Sequence, residues 1–338
     1  MAAKLPAVVL MGHDVLAAAT PPPEREYNTV INAATLEASL QQIQDQGYRF
    51  LDLDEFMRWR NRGGVALLTF DDAYRSVVDI GLPVLQRLGI PALIFAVTGS
   101  VLGRGDQFPH FLHVLQENWP RGTMVSNHPL VAKVVATTSF ASLGELLAHD
   151  PEAAHGIFER ALCSEELDTL SAHIAASIHQ PRQTMTLLEI VDSMRSGLLT
   201  YGAHSITHRA LTALNPVEAE REIIRSTEAI AEVSGKPPSE IAFAYPYGFV
   251  TAHAASTVAR VSRAGFTCSA RAVNWMDRAA TLPRINLDHQ TPIVVRRARS
   301  TMTSLGSLQE TALLYARTNT GRRLTAPLRR ILRAVRAQ

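Results

Sequence analysis

Two places in the sequence carry residues able to do acid–base or metal chemistry. The run VALLTF, which reads as a buried strand, leads straight into Asp71 and Asp72, the kind of position where α/β barrels and open sheets gather their active sites. Adjacent carboxylates on an irregular turn can point in different directions, so that one binds a cation while the other stays free as a base. An Asp at a strand-to-helix junction also commonly does no more than cap the next helix. The second place is His204-Ser205-Ile206-Thr207-His208, again directly after a buried strand, LLTYGA. Imidazoles at i and i+4 converge if the stretch makes one helical turn, and histidines packed in a core or lying on a surface fit the same spacing. Together the two pairs supply two His and one carboxylate at the same end of core strands, a set that leaves coordination positions open, as a catalytic metal site requires. A further strand ends in FAYPYG at 243–248, a turn that can present a backbone N–H to an oxyanion or simply terminate the strand.

The elements that must hold these groups at one edge are legible in the pattern. Short apolar runs alternate with helix-period segments, as βα units around a parallel sheet or barrel require. Strands are expected at 7–11, 49–53, 65–70, 91–97, 198–203, 241–245, 266–270 and 282–287. Helices are expected at 36–46, stopped by Gly47; at 77–88, closed by Gly89; at 187–195; from Asn215 as N-cap, with Pro216 first, to Gly235; and at 253–263. From about Arg104 to Pro181 the pattern turns helix-prone, which reads as an inserted helical subdomain or lid. Residues 1–300 are thus expected to form one barrel interrupted at about 104–181, and 301–338 a C-terminal helix and basic tail.

Composition excludes several classes. With 46% hydrophobic and 19% charged residues among 338, the chain is neither disordered nor collagenous. Cys163 and Cys268 lack CxxC spacing, which excludes a zinc finger and suits a reducing compartment. No run of about 18 apolar residues is present to span a bilayer, and MAAKLPAVVLMGHDVL lacks the features of a secretory signal, so a cytoplasmic location is expected. The near balance of 33 Lys+Arg against 31 Asp+Glu hides an asymmetry: seven arginines and no acid follow Glu310. A mildly acidic body with a basic tail argues against a nucleic-acid-binding body.

The order TFDD, HSITH, YPYG and LPRINLDH resembles that of the polysaccharide deacetylase family, the NodB-homology carbohydrate esterases, from Ala7 to about His289. The flanks GGVALLTFDDAYRSVVDIGLPVLQRLGI and GAHSITHRALTALNPVEAEREI are similar to that family's first and second motif regions. The resemblance implies a distorted (β/α) barrel. It implies Asp71 as general base, and Asp72, His204 and His208 as ligands of one divalent ion, zinc first with cobalt or iron as alternatives. It places Tyr247 where the family uses a backbone N–H for the oxyanion, and His289 in the family's final Leu-x-His element as general acid. Two departures stand out. Ala244 occupies the place of an arginine that tethers the catalytic aspartate in many members; Arg284, in LPRI, could substitute from the neighbouring strand or form an ordinary ion pair at the barrel rim. The family's aspartate-tryptophan element is represented at best by Trp275 and Asp277, and Trp275 could stack on a sugar face or sit in a core. His110 and His113, three apart, could mimic a second metal site or pack as ordinary histidines.

The function implied is metal-dependent removal of an N-acetyl or related acyl group from an amino-sugar-containing glycan or glycolipid precursor. The rivals are a hydrolase of a small non-glycan amide and a non-enzymatic carbohydrate-binding barrel. The partners are then a glycan or lipid-linked sugar, and no nucleic acid. In the tail, Leu328, Ile331, Leu332 and Val335 fall at i, i+3, i+4 and i+7 among arginines after Pro327, an amphipathic basic helix that could lie on an anionic membrane at the inner face or dock its apolar stripe on the barrel.

Overall fold

The computed structural model describes residues 5–18, 30–104, 126–149, 157–158, 160–178, 183–288, 291–292 and 295. In chain order come β1 (Val8–Gly12), β2 (Asp14–Leu16), β3 (Val30–Asn32), α1 (Ala33–Asp45), β4 (Arg49–Phe50), α2 (Leu53–Trp59), β5 (Val65–Phe70), α3 (Leu82–Leu88) and β6 (Ala92–Ala96). The insertion follows with α4 (Pro129–Val135), α5 (Leu143–His149) and α6 (Ser164–Ile178). The alternation then resumes with α7 (Leu187–Met194), β7 (Leu199–Ala203), α8 (Pro216–Ser234), β8 (Phe243–Ala244), α9 (Ala252–Val261), β9 (Gly265–Phe266) and β10 (Ile285–Asn286).

The main sheet runs β10-β1-β5-β6-β7-β8-β9 with every ladder parallel, and β4 pairs β5 beside it. The distortion is visible on β5: β4 pairs Val65 and Ala66, and β6 takes over from Leu68 to Phe70. Leu282 bridges Phe266 of β9, and three residues later Ile285 pairs Leu10 of β1, so this stretch draws the two ends of the sheet together. The fold is the distorted (β/α) barrel expected.

Both faces of the central strands are buried, which explains their unbroken apolar runs. Val8, Leu10, Ala66, Leu68, Phe70 and Ile94 join α1 and α8 side chains such as Leu40 and Ile223. Their neighbours Val9, Val65, Leu67, Leu93 and Phe95 form a second cluster with Ala244, Phe266 and Leu282. Gly202 of β7 makes room for this interior: a Cβ there would lie 2.6 Å from the Phe95 ring and 2.9 Å from the Ala242 carbonyl.

The helix ends follow the sequence. Asn215 caps α8 by accepting from the Glu218 N–H at 3.0 Å, Pro216 occupies the first turn, and Gly235 ends the helix at φ +63°. Elsewhere the elements differ. The stretch expected to be extended through Leu53 stops at Phe50, because Asp52 caps α2 by accepting from the Glu55 N–H at 2.8 Å. The 77–88 segment opens with a π-helical turn, Val77–Gly81, before α3. Three expected five- or six-residue strands reduce to the two-residue ladders β8, β9 and β10.

The described part of the insertion is helical, with its own core of Val131, Val134, Leu143, Leu146, Phe158, Leu162, Leu170 and Ile174. It departs from the carboxyl end of β6 and returns beside the loop after β5. There the Met185 N–H donates to Ala73 O at 2.9 Å and the Arg75 N–H to Gln183 O at 2.8 Å. Both roots therefore lie at the carboxyl edge of the sheet. Among the described residues no helix is long and apolar enough to cross a membrane. The tail from 301 onward lies outside the described residues, as do His110, His113 and His289.

Candidate functional site

Three loops at the carboxyl edge carry the reactive side chains, and their backbone is unusual. Among the described residues, the non-glycine residues with positive φ are Asp72 (66°), Ala73 (53°), Ser205 (64°), His208 (59°) and Tyr247 (58°), all in the loops after β5, β7 and β8. The left-handed region costs an L-residue about 1–2 kcal/mol, and such outliers cluster where the surroundings over-determine the chain. After β5 the turn separates the two carboxylates, so that Asp71 meets Arg284 and Asp72 faces the histidines. Residues 204–208 do not make the helical turn that would bring imidazoles at i and i+4 together. The rings converge instead through a loop with left-handed residues at 205 and 208, closed by the His208 N–H donating to Ser205 Oγ at 2.9 Å. The Thr98 and Gly99 N–H groups tie that loop to the end of β6 through Ser205 O (3.1 Å) and Ile206 O (2.9 Å).

Asp72, His204 and His208 each offer one ligand atom within 4.8 Å of the others. Asp72 Oδ1 stands 3.3 Å from His208 Nε2 and 3.7 Å from His204 Nε2, and the two Nε2 atoms are 3.2 Å apart. The far sides of the rings are engaged. His204 Nδ1 lies 2.8 Å from Ala244 O, an acceptor only, so that nitrogen carries the hydrogen and leaves Nε2 as a lone pair in the neutral ring. His208 Nδ1 lies 3.0 Å from the Tyr247 hydroxyl. Burial pushes His208 down to about 4, keeping it neutral near pH 7. Asp72 Oδ1 is buried with no hydrogen-bond partner among the described residues. Two imidazole Nε2 atoms converging beside an orphaned carboxylate oxygen are a poor arrangement in a dry protein and a good one around a cation, so these residues fit a divalent metal with positions to spare.

Asp71 is anchored differently. Arg284, wholly buried, holds it in a bidentate pair, Nη1 to Oδ1 at 2.6 Å and Nη2 to Oδ2 at 2.7 Å. Arg284 also donates from Nε to Thr267 O at 3.2 Å and lies 5.5 Å from the Phe95 ring centroid. Burial alone would raise the Asp71 carboxyl, but the guanidinium, with His204 and His13 beside it, outweighs burial and holds it well below the usual carboxylate range. Asp71 Oδ2 also stands 3.7 Å from His204 Nε2.

His13, at the end of β1, escaped the sequence reading. Its Nε2 lies 3.9 Å from Asp71 Oδ2 and its side chain is 18% exposed, opening the site toward solvent. The available signal was a histidine directly after the first buried strand, VVLMG. The Tyr247 hydroxyl is likewise invisible in FAYPYG, a turn that by itself points only to a backbone N–H. Trp275 is not at the site. Val273 bridges Ala7, which precedes β1, so the 273–277 turn lies at the opposite edge of the sheet, with Trp275 72% exposed and Asp277 paired to Arg271 at 2.7 Å. The Arg271 pair and the Asn274 N–H, 2.7 Å from Asp277 Oδ2, account for Asp277 as the clasp of a local turn.

The family model for polysaccharide deacetylase matches residues 171–269, which include the HSITH and YPYG loops. Solved structures share the fold over most of the chain. A polysaccharide deacetylase from Bacillus cereus aligns with TM-score 0.54 at 15% identity, covering 88% of this chain and 69% of its own. The Streptococcus pyogenes deacetylase PplD, in complex with acetate, aligns at 0.56 and 17%, covering 88% and 99%. IcaB from Ammonifex degensii aligns at 0.54 and 21%, covering 87% and 97%. No curated protein matches the chain in sequence.

Proposed function

We propose that this chain, whose residues 171–269 match the polysaccharide deacetylase family model, is a carbohydrate deacetylase acting on amide bonds that removes N-acetyl groups from an amino sugar in a glycan or glycolipid precursor. One divalent cation, zinc first, would be held by Asp72, His204 and His208. The observation that carries the reading is the convergence of two imidazole Nε2 atoms and an orphaned carboxylate oxygen beside a second carboxylate locked in an ion pair. The donor set of two imidazoles and one carboxylate suits zinc, and also iron or cobalt. The acetate in PplD supports acetyl as the acyl group.

A cation in that position supplies Lewis acidity to the acyl carbonyl and to the attacking water. Asp71 takes the proton of that water. Arg284 keeps Asp71 ionised and fixes its plane, at some cost in basicity. The leaving amine also needs a proton donor, for which His13, its Nε2 3.9 Å from Asp71 Oδ2, joins His289 as a candidate. The Tyr247 N–H is the oxyanion donor in this scheme, while its hydroxyl orients His208. The insertion, rooted at both ends in this edge, serves as a cap suited to a large or amphiphilic substrate.

The zinc-loaded protein is expected to release acetate from an N-acetylglucosamine oligosaccharide, and little from O-acetylated xylan or acetanilide. Turnover of acetanilide with none of the oligosaccharide would replace the glycan by a small amide.

A further inference from the structure

Glu222 is a buried carboxylate for which the scheme above has no use. It sits in the second turn of α8, 5% exposed, and reaches into the loop between the two histidines. Its Oε2 accepts the N–H of Ile206 at 2.8 Å and of Thr207 at 3.0 Å, and its Oε1 accepts the Thr207 hydroxyl at 3.1 Å. Among the described residues no lysine or arginine pairs with it. A buried charge needs such compensation, and here two backbone N–H dipoles and a hydroxyl provide it.

The loop needs the carboxylate as much as the carboxylate needs the loop. Left-handed residues at 205 and 208 bracket Ile206 and Thr207 and leave their N–H groups without the ladder or helical acceptors that regular structure would provide. We propose that Glu222 is a positioning residue for the cation site, holding the HSITH loop in the one conformation that brings His204 Nε2 and His208 Nε2 to 3.2 Å. Its consequence for metal binding rests on the reading of the site given above; the anchoring of the loop does not.

The test is zinc affinity of the full chain by chelator competition, with amide hydrogen exchange at Ile206 and Thr207 in the metal-free protein. Glu222→Ala removes every acceptor. Glu222→Asp, less disruptive to folding, is too short to reach all three donors. Both should bind zinc about 10- to 100-fold more weakly, as loss of an outer-shell partner typically does. Glu222→Gln should stay within about threefold, because its carbonyl can take the Oε2 place and its NH2 can donate to the Thr207 hydroxyl. Ser226→Ala, buried one turn along the same helix with its hydroxyl donating within the helix, should leave affinity unchanged. Affinities of the Ala and Asp variants within twofold of wild type, or an equal loss in Ser226→Ala, would overturn the proposal. If the wild-type protein takes up no zinc, the metal reading fails, and exchange then decides the anchoring: faster exchange at both amides in Glu222→Asp upholds it and unchanged exchange overturns it.

Discussion

Replacing His208 by alanine should cost the protein its cation and its catalysis together. The change removes one of three candidate ligands and the acceptor or donor that meets the Tyr247 hydroxyl at 3.0 Å, leaving Asp72 and His204 alone. Outer-shell substitutions already weaken metal sites 10- to 100-fold, so loss of a ligand should exceed about a hundredfold and bring acetate release to background. Metal content after dialysis, alongside a circular dichroism spectrum showing the fold intact, reads the effect. A fully loaded His208→Ala protein would remove His208 from the ligand set.

Asp71→Asn should do the reverse, keeping the metal and losing turnover by about 10²- to 10⁴-fold, the usual worth of a general base. The amide preserves shape, and it can accept one hydrogen bond from Arg284, but it abstracts no proton. It also leaves the buried guanidinium without its counter-charge, and breaking a buried pair costs about 3–5 kcal/mol, so rates belong at a temperature where the variant is folded. The stability difference carries a pH signature. The folded-state carboxyl of Asp71 is held below its unfolded value of about 4, so the pair's contribution is complete above that value and is lost as pH falls below it. Urea midpoints of wild type and Asp71→Asn should therefore differ most near pH 7 and approach each other on acidification toward pH 3. Metal loss in Asp71→Asn with residual turnover of the reloaded protein would exchange the roles of the two aspartates.

Much of this molecule was legible before its coordinates, and the reasons are local. VALLTF declares a doubly buried strand because every residue in it is apolar or small, and Asn215-Pro216 with Glu218 declares a helix start through side-chain hydrogen bonds that span only three residues. The two-residue ladders β8, β9 and β10 were overestimated because apolar runs report burial, and burial here outlasts backbone pairing. Helix α2 went unread since seven residues give too short a period to stand out. At the site, Asp72, His204 and His208 lie in loops whose left-handed residues carry no sequence mark: Asp72, Ser205, His208 and Tyr247 are unremarkable letters in a glycine's conformation. His13 and Glu222 were missed because their partners, Asp71 and the 206–207 backbone, are distant or nearby only through the fold. Trp275 was misassigned because a chain position between two site loops does not fix which edge of the sheet a turn returns to.

The most direct measurement is acetate release from an N-acetylglucosamine oligosaccharide by metal-stripped protein titrated with zinc. A site formed by Asp72, His204 and His208 predicts no release without metal and activity that rises to a plateau at one equivalent. Undiminished release by the stripped protein, or a plateau that tracks no fixed stoichiometry, would contradict it.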